Sequence, residues 1–192
     1  EMDGFEFCRH LKTDDRTSHI PVIMLTAKAT TESRIEGFEF GADDYLTKPF
    51  NTAEIKARVK NLITIRENLK KYYTQIITET PISLSESHSR EDLFLQKVRK
   101  VLEKQASHSS FGVEQLAAAM SMSTSQLLRK LKALTNLTTV EFIREYRLQQ
   151  AAHLLKQKNA TVSEVAYQTG FESLSYFTKA FQEKYQVLPS DY

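Results

Sequence analysis

Apolar positions in the first 50 residues predict short helices that alternate with short strands. Residues 2–12 carry apolar side chains at helical spacing, and residues 20–25 (IPVIML) form a continuous apolar run with the length of a buried strand. A second helical period covers residues 31–41, and residues 44–46 (DYL) form a second apolar strand. With a further helix starting after Asn51, this order predicts an α/β layer with parallel strands.

The helix after Asn51 has a longer apolar stripe than any other segment. Asn51 and Glu54 form a capping pair, and apolar positions then recur in steps of three and four residues from 55 to 76, interrupted only by Arg66. The first turns of this stripe are expected to pack on the helix's own sheet. Beyond about residue 65 the helix outruns that sheet, which favours a coiled-coil seam between two copies formed by Leu62, Leu69, Tyr73 and Ile76.

The second half of the chain is entirely helical in its periodicity. Residues 79–89 are rich in Ser and Thr and lack a hydrophobic period, which predicts a linker, and Ser89 with Asp92 caps the helix that follows. Residues 112–137 and 161–188 repeat each other at an offset of 49 to 50 residues, each as a short helix, a tight turn and a second short helix. Two helix-turn-helix units are therefore predicted.

The second helix of each unit has one apolar face and one face without acidic residues. Ser123 and Gln126 form a capping box for the first, while Gly170 supplies the turn and Ser173 the N-cap of the second. The inward faces carry Leu127, Leu131 and Leu134 in the first helix, and Phe177, Phe181 and Tyr185 in the second. The outward faces, which we call the reading faces, carry Ser125, Leu128, Arg129 and Lys132, and Ser175, Thr178, Lys179 and Gln182.

Charge and spacing both favour DNA as the partner of the reading faces. No Asp or Glu lies between Glu114 and Glu141, whereas Arg129, Lys130 and Lys132 do. Such a face can enter a major groove about 12 Å wide and bond to base edges. Thr138 and Glu141 cap a connecting helix of about 18 residues. At ~1.5 Å per residue this helix would separate the two units by ~30 Å, close to one ~34 Å turn of B-DNA. The alternative is a helical bundle whose basic faces are merely solvated.

Composition excludes several classes of protein. The chain is 41% hydrophobic and 26% charged, with one cysteine and no apolar run of the ~18–20 residues that span a bilayer. These features predict a cytoplasmic protein without disulfides. Residues 1–89 carry 12 basic and 14 acidic residues, and residues 90–192 carry 14 and 10, so the basic excess lies in the helical half. Because the chain starts at Glu1, we expect it to be a fragment of a longer protein.

Residues 90–192 resemble the DNA-binding domain of AraC-type transcription regulators. The resemblance lies in LAAAMSMSTSQLLRKLK, EFIREYRLQQAAHLL and VAYQTGFESLSYFTKAFQEKYQVLPSDY. It implies base contacts at Ser125, Leu128 and Arg129, and at Ser175, Thr178 and Lys179. The glycines that this family usually has in the first turn and after each reading helix are replaced here by Ser121, Asn136 and Gln186.

Residues 1–62 resemble the second half of a response-regulator receiver domain. MDGFEF, IPVIMLTA and GADDYLTKPF carry the resemblance. It implies that Lys48 and Thr26 are remnants of a phosphoryl-binding pocket, that Tyr45 is the aromatic switch, and that the peptide bond before Pro49 is cis.

The same resemblance places the chemistry of a complete receiver outside this chain. Asp43 and Asp44 are expected to lie exposed in the turn that enters the second strand. The phosphate-accepting Asp and the Mg²⁺-binding acids are expected to precede Glu1, so no catalytic residue and no metal ligand is assigned here. We therefore expect that the chain itself is not phosphorylated.

Together these observations predict a mainly α protein: part of a doubly wound parallel α/β receiver followed by an all-α domain. The predicted divisions are a half receiver, a helical coiled-coil extension, a linker and the double helix-turn-helix domain, at residues 1–62, 63–78, 79–89 and 90–192.

The function expected is sequence-specific transcription regulation, as the output half of a phosphorelay response regulator. Its partners would be double-stranded DNA, a second copy of the chain, and a histidine kinase or the hybrid kinase domain of the full-length protein. That full-length protein would be either a stand-alone regulator or a membrane-anchored hybrid kinase. Two alternatives stay open: a dimerisation or scaffolding module without DNA binding, and an enzyme. Against an enzyme, the sequence lacks a Gly-x-Ser-x-Gly elbow, a Walker loop and Cys/His metal spacing.

Overall fold

The structure is a computed structural model that describes residues 2–27, 40–79 and 89–192. The helices and strands of these residues are α1 (Gly4–Thr13), β1 (Ile23–Thr26), β2 (Asp44–Thr47), α2 (Thr52–Glu79), α3 (Arg90–Gln105), α4 (Val113–Ala119), α5 (Thr124–Thr135), α6 (Thr139–Gln157), α7 (Val162–Gln168) and α8 (Leu174–Tyr185), with a final 3₁₀ turn at Pro189–Asp191. The predicted mainly α class with a small parallel sheet is confirmed. The helix predicted at 31–41 and most of the predicted linker lie outside the described residues.

Contacts divide the chain into two compact units, residues 1–72 and 73–192. This division falls inside α2, and the domain boundaries derived from the sequence motifs stay predictions.

In the first unit, β1 and β2 pair in parallel, as predicted. Ile23 lies opposite Asp44 and Thr26 opposite Thr47. Asp3 caps α1 by accepting bonds from two backbone amides of the first turn. Asn51 caps α2, since its Oδ1 accepts a bond of 2.7 Å from the Glu54 amide. Local side-chain caps thus define where both helices begin.

The last turns of α2 belong to the second unit. Tyr73 and Ile77 are each only 5% exposed and pack in the same core as Phe94 and Leu95 of α3. The assignment of Tyr73 to a dimer seam is therefore corrected, because its ring is already buried within its own chain. Leu62 and Leu69 keep partly or largely exposed side chains.

The second unit contains two apolar cores, one for each helix-turn-helix. The first gathers α3, α4, α5 and the start of α6, up to Ile143. The second gathers the rest of α6, from Leu148, with α7 and α8. The connector α6 is therefore shared, and its apolar face changes core between Ile143 and Leu148.

Every cap predicted for the helices of the second unit is present. Ser89 accepts from the Asp92 amide at 3.0 Å, and Ser173 accepts from the Tyr176 amide at 3.3 Å. Reciprocal capping boxes join Ser123 to Gln126 and Thr138 to Glu141. No helix among the described residues has the length and apolar character needed to cross a membrane.

Candidate functional site

The first reading helix, α5, exposes the predicted reading face. Leu127 and Leu131 are fully buried and Leu134 nearly so, which fixes the rotation of the helix about its axis. The opposite side carries Ser125, Leu128, Arg129 and Lys132, all exposed. Leu128 is 41% exposed and offers an apolar contact beside the arginine.

The second reading helix, α8, is anchored by aromatic rings. Phe177 and Phe181 are fully buried with centroids 5.5 Å apart, and Phe171 and Tyr185 extend the chain of contacts at 5.0 Å and 4.6 Å. On the other side, Ser175, Lys179 and Gln182 are exposed and Thr178 is half-buried.

Two lysines of the reading helices make contacts within the protein and do not lie on the reading faces. Lys130 is fully buried, and its ammonium nitrogen lies 4.1 Å from the centroid of the Phe94 ring. The assignment of Lys130 to the outward charge is therefore corrected, because its long side chain turns into the first core and makes a cation–π contact there. Lys184 of α8 is paired with Glu145 of α6, with both side chains largely buried. The cations left on the two reading faces are Arg129, Lys132 and Lys179.

The connector α6 has the predicted length and is rigidly capped. It spans 19 residues, which at ~1.5 Å per residue is about 28 Å. Arg147 of this helix was not predicted as a functional residue, and its guanidinium donates to three backbone carbonyls of residues 106–111. Their separation from Arg147 by about 40 positions explains why no local pattern announced the contact.

The three positions where the resemblance expects glycine all have left-handed backbone conformations. Ser121, Asn136 and Gln186 have φ angles of 54°, 60° and 61°. Gly170 in the second turn has φ 86°, as its predicted role requires. Lys158, which ends α6, also has a positive φ and was not anticipated.

In the first unit, the candidate pocket residues lie at the ends of the two strands. Thr26 ends β1, and its carbonyl accepts a bond of 2.6 Å from the Lys48 amide. The Lys48–Pro49 bond is cis, as predicted. Lys48 has an exposed side chain, whereas Tyr45 is buried.

Asp43 differs from the expectation of an exposed turn residue. Its carboxylate pairs with Lys12, lies 2.8 Å from Arg66 Nη2 and accepts a bond of 2.8 Å from the Val22 amide. Burial raises the pKa of Asp43, but the bonds from Lys12 and Val22 and the charge of Arg66 outweigh it and hold the pKa below its ordinary value. Asp44 is likewise engaged, by Arg58 at 2.7 Å.

The described residues do not fit a magnesium site. They contain no group of three or more His, Cys, Asp or Glu side chains that could hold a metal ion. Asp43, which directly precedes β2, is already neutralised by two cations.

Two family models match separate parts of the chain. Residues 1–60 match the response regulator receiver domain, and residues 116–192 match a helix-turn-helix domain. The chain joins part of a receiver domain to an AraC-type helix-turn-helix domain. Neither model describes an enzyme.

Relatives of the receiver segment and the AraC-type domain are found in several bacteria. A protein of Formosa agariphila named histidine kinase P4 is 40% identical over all 192 residues, which cover 14% of that protein. The phosphate regulon transcriptional regulatory protein PhoB of Escherichia coli is 53% identical over 57 residues, 30% of this chain and 25% of PhoB. The solved C-terminal domain of AraT, a response regulator from Geobacillus stearothermophilus, aligns with 54% of this chain and 85% of its own length, at 25% identity and a TM-score of 0.49. The chain thus spans a quarter or less of the length of these two curated relatives.

Proposed function

We propose that this chain is the output part of a two-component signalling protein and binds duplex DNA with α5 and α8 in successive major grooves. One observation carries the proposal: two exposed faces without acidic residues, each on a helix fixed by buried apolar side chains, are joined by one capped helix about 28 Å long. Their residue types suit base edges and phosphates, since Arg129 can bond to guanine in a bidentate manner and Leu128 can contact a thymine methyl group.

Binding is tested with duplexes selected from a random library by the full 192-residue chain. Affinity for the selected duplex should fall steeply between about 50 and 200 mM salt, because Lys and Arg contacts release counterions. A scaffolding module would select no duplex, and that result would refute the proposal.

The role of Arg129 is tested by Arg129→Ala. Loss of a base contact should cost ~1–3 kcal/mol and relax the preference at one base pair, whereas Lys132→Ala should weaken all sequences alike. The matched control is Lys104→Ala, which removes an exposed charge from α3 and should leave affinity nearly unchanged. A uniform loss at Arg129 would contradict its assignment to base recognition.

We also propose that the full-length protein is a hybrid sensor kinase and that its DNA-binding end works in the cytoplasm. The match over the whole chain to a protein named as a histidine kinase supports this. Sequencing the gene upstream of residue 1 tests it: a kinase core there is expected, and its absence would leave a stand-alone regulator.

A second copy of the chain is the partner proposed for α2. Arg66 bonds to Asp43 and Tyr73 is buried, which leaves Leu62, Leu69 and Ile76 of the predicted seam, at heptad spacing. The exposed side chains of Ile65 and Tyr72 widen this apolar stripe. Leu69→Glu should shift sedimentation from dimer to monomer, while Lys71→Glu, on an exposed position off the stripe, should not. A chain that sediments as a monomer before any substitution would refute the dimer.

A further inference from the structure

Arg147 lies where the connector passes from one core to the other. Its side chain reaches the loop between α3 and α4, where Nε donates to the Ala106 carbonyl at 2.9 Å and Nη2 donates to those of His108 and Phe111 at 3.0 and 2.9 Å. Ala106 is the residue that ends α3. Carbonyls at a helix C-terminus lack intrahelical partners and carry the negative end of the helix dipole, so they suit a cation.

The turn of the second helix-turn-helix lies against the same guanidinium and its Ala106 partner. Gly170, in the turn between α7 and α8, is buried with φ 86°. A Cβ atom at this position would lie 2.3 Å from the Ala106 carbonyl oxygen and 2.9 Å from Arg147 Nε. Both distances are impossible for real atoms, so only glycine lets the turn rest there.

The three groups therefore form one contact between the two helix-turn-helix units. Arg147 belongs to α6, Ala106 ends the helix that precedes the first helix-turn-helix, and Gly170 lies in the turn of the second helix-turn-helix. Burial lowers the pKa of Arg147, an effect that the carboxylate of Glu172 opposes. A half-buried guanidinium with three carbonyl partners has few alternative positions, because moving it would leave buried polar groups without bonds.

We propose that Arg147 and Gly170 lock the separation of α5 and α8, so that the chain accepts only one spacing between the two halves of its DNA site. This rests on the proposed function. Arg147 is a positioning residue here: it lies on the connector, apart from both reading faces, and acts on recognition through the geometry of the two helices.

The fixed separation of α5 and α8 is tested first without DNA, by double electron–electron resonance on the full chain. Spin labels are placed at Ala133→Cys on α5 and Glu183→Cys on α8, both exposed, in a Cys8→Ala background. Arg147→Met should broaden the distance distribution at least twofold, and Gly170→Ala should shift its mean. Arg144→Met is the matched control, since it removes another half-buried arginine from the same helix, and should leave the distribution narrow.

The second test uses the duplex selected by the wild-type chain and the same duplex with one base pair inserted between its halves. The wild type should lose at least tenfold in affinity upon insertion. Arg147→Met should bind the selected duplex about tenfold more weakly and lose less than threefold upon insertion. A variant that is only less stable would lose affinity for both duplexes by the same factor.

The outcomes separate the two proposals. If the wild type selects no duplex, the proposal of DNA binding is refuted, and the spin-label distances still test whether Arg147 and Gly170 fix the separation of α5 and α8. If the wild type binds but Arg147→Met keeps a narrow distribution and the full insertion penalty, the lock is refuted. If Arg147→Met fails to fold, as judged by far-ultraviolet circular dichroism, Arg147→Lys replaces it. Lysine keeps the charge but holds its donors on one nitrogen, whereas Arg147 reaches the three carbonyls from two nitrogens, Nε and Nη2. The same broadening and the same reduced insertion penalty are therefore expected.

Discussion

At the scale of single residues, the backbone carries strain that its side chains do not relieve. Ser121, Asn136, Lys158 and Gln186 hold left-handed conformations, which cost an ordinary L-residue roughly 1–2 kcal/mol. The cost is smallest at Asn136, because asparagine tolerates this region. Ser121, Asn136 and Gln186, the three positions where the resemblance expects glycine, therefore keep the left-handed geometry at a greater conformational cost than glycine would have.

Ser121→Gly should stabilise the chain. Relief of the left-handed strain outweighs the greater freedom that glycine gives the unfolded chain, so the free energy of unfolding should rise by about 0.5–1 kcal/mol. Urea unfolding followed by circular dichroism measures it. Asn136→Gly is the control and should change stability less. A loss of stability at Ser121 would show that its side chain makes a contact worth more than the strain.

The titration of Tyr73 should make the free energy of unfolding depend on pH. Its hydroxyl donates to Asp92 Oδ1 at 2.8 Å. Burial, with the Asp92 bond and the nearby acidic charges, raises the pKa of Tyr73 from 10.0 to about 12, although Ser89 opposes this. Because the folded pKa lies above the unfolded one, the stabilisation is complete below pH 10 and is lost as the pH rises towards 12.

Tyr73→Phe tests this titration. At neutral pH it should lower the free energy of unfolding by about 1–2 kcal/mol, because Asp92 loses a buried donor. Between pH 10 and 12 the difference from the wild type should shrink. Urea unfolding at a series of pH values measures it, with the exposed Tyr72→Phe as control. A difference that stays constant to pH 12 would contradict the raised pKa.

At the scale of single elements, two serines at the start of α5 have separate tasks. Ser123 Oγ accepts from the Gln126 amide at 3.2 Å and begins the helix, while Ser125 lies exposed on the reading face. Ser123→Ala should cost about 1 kcal/mol of stability. Ser125→Ala should change stability by less than ~0.5 kcal/mol and instead weaken binding to the selected duplex. Thermal unfolding and gel shift, run on both variants, measure the two effects. The reverse pattern would place the reading face elsewhere.

Elements were predictable from the sequence where their causes are local. Caps such as Ser123 with Gln126 lie within one turn, and the spacing of Leu127 and Leu131 reveals the buried face directly. Contacts between distant residues left no such signal. The Lys130 ammonium contacts the ring of Phe94 on another helix, and Asp43 pairs with Lys12, 31 positions away in the sequence. Some charged side chains that the sequence pattern places in solvent are therefore buried in ion pairs or cation–π contacts.

At the scale of the whole molecule, α2 is one continuous helix whose residues are divided between the two compact units. The second compact unit starts at Tyr73. Ile77 lies about one helical turn further along and packs in the first apolar core of that unit. Its carbonyl accepts a bond from the Gln149 side chain of the connector. The DNA-binding half therefore includes residues that sequence motifs assign to the receiver's extension.

Ile77→Ala tests this inclusion. Removing a buried isoleucine leaves a cavity and should cost about 2–4 kcal/mol, and the loss should fall on the unfolding of residues 73–192, since that core contains the side chain. Ile63→Ala changes the same residue type on the same helix at an exposed position and should cost less than ~0.5 kcal/mol. Hydrogen exchange of the amides in α3 and α5 measures the local effect. Their exchange rates should be higher than in the wild type in Ile77→Ala and equal to those of the wild type in Ile63→Ala. Equal exchange in the two variants would mean that the end of α2 contributes nothing to the stability of the DNA-binding half.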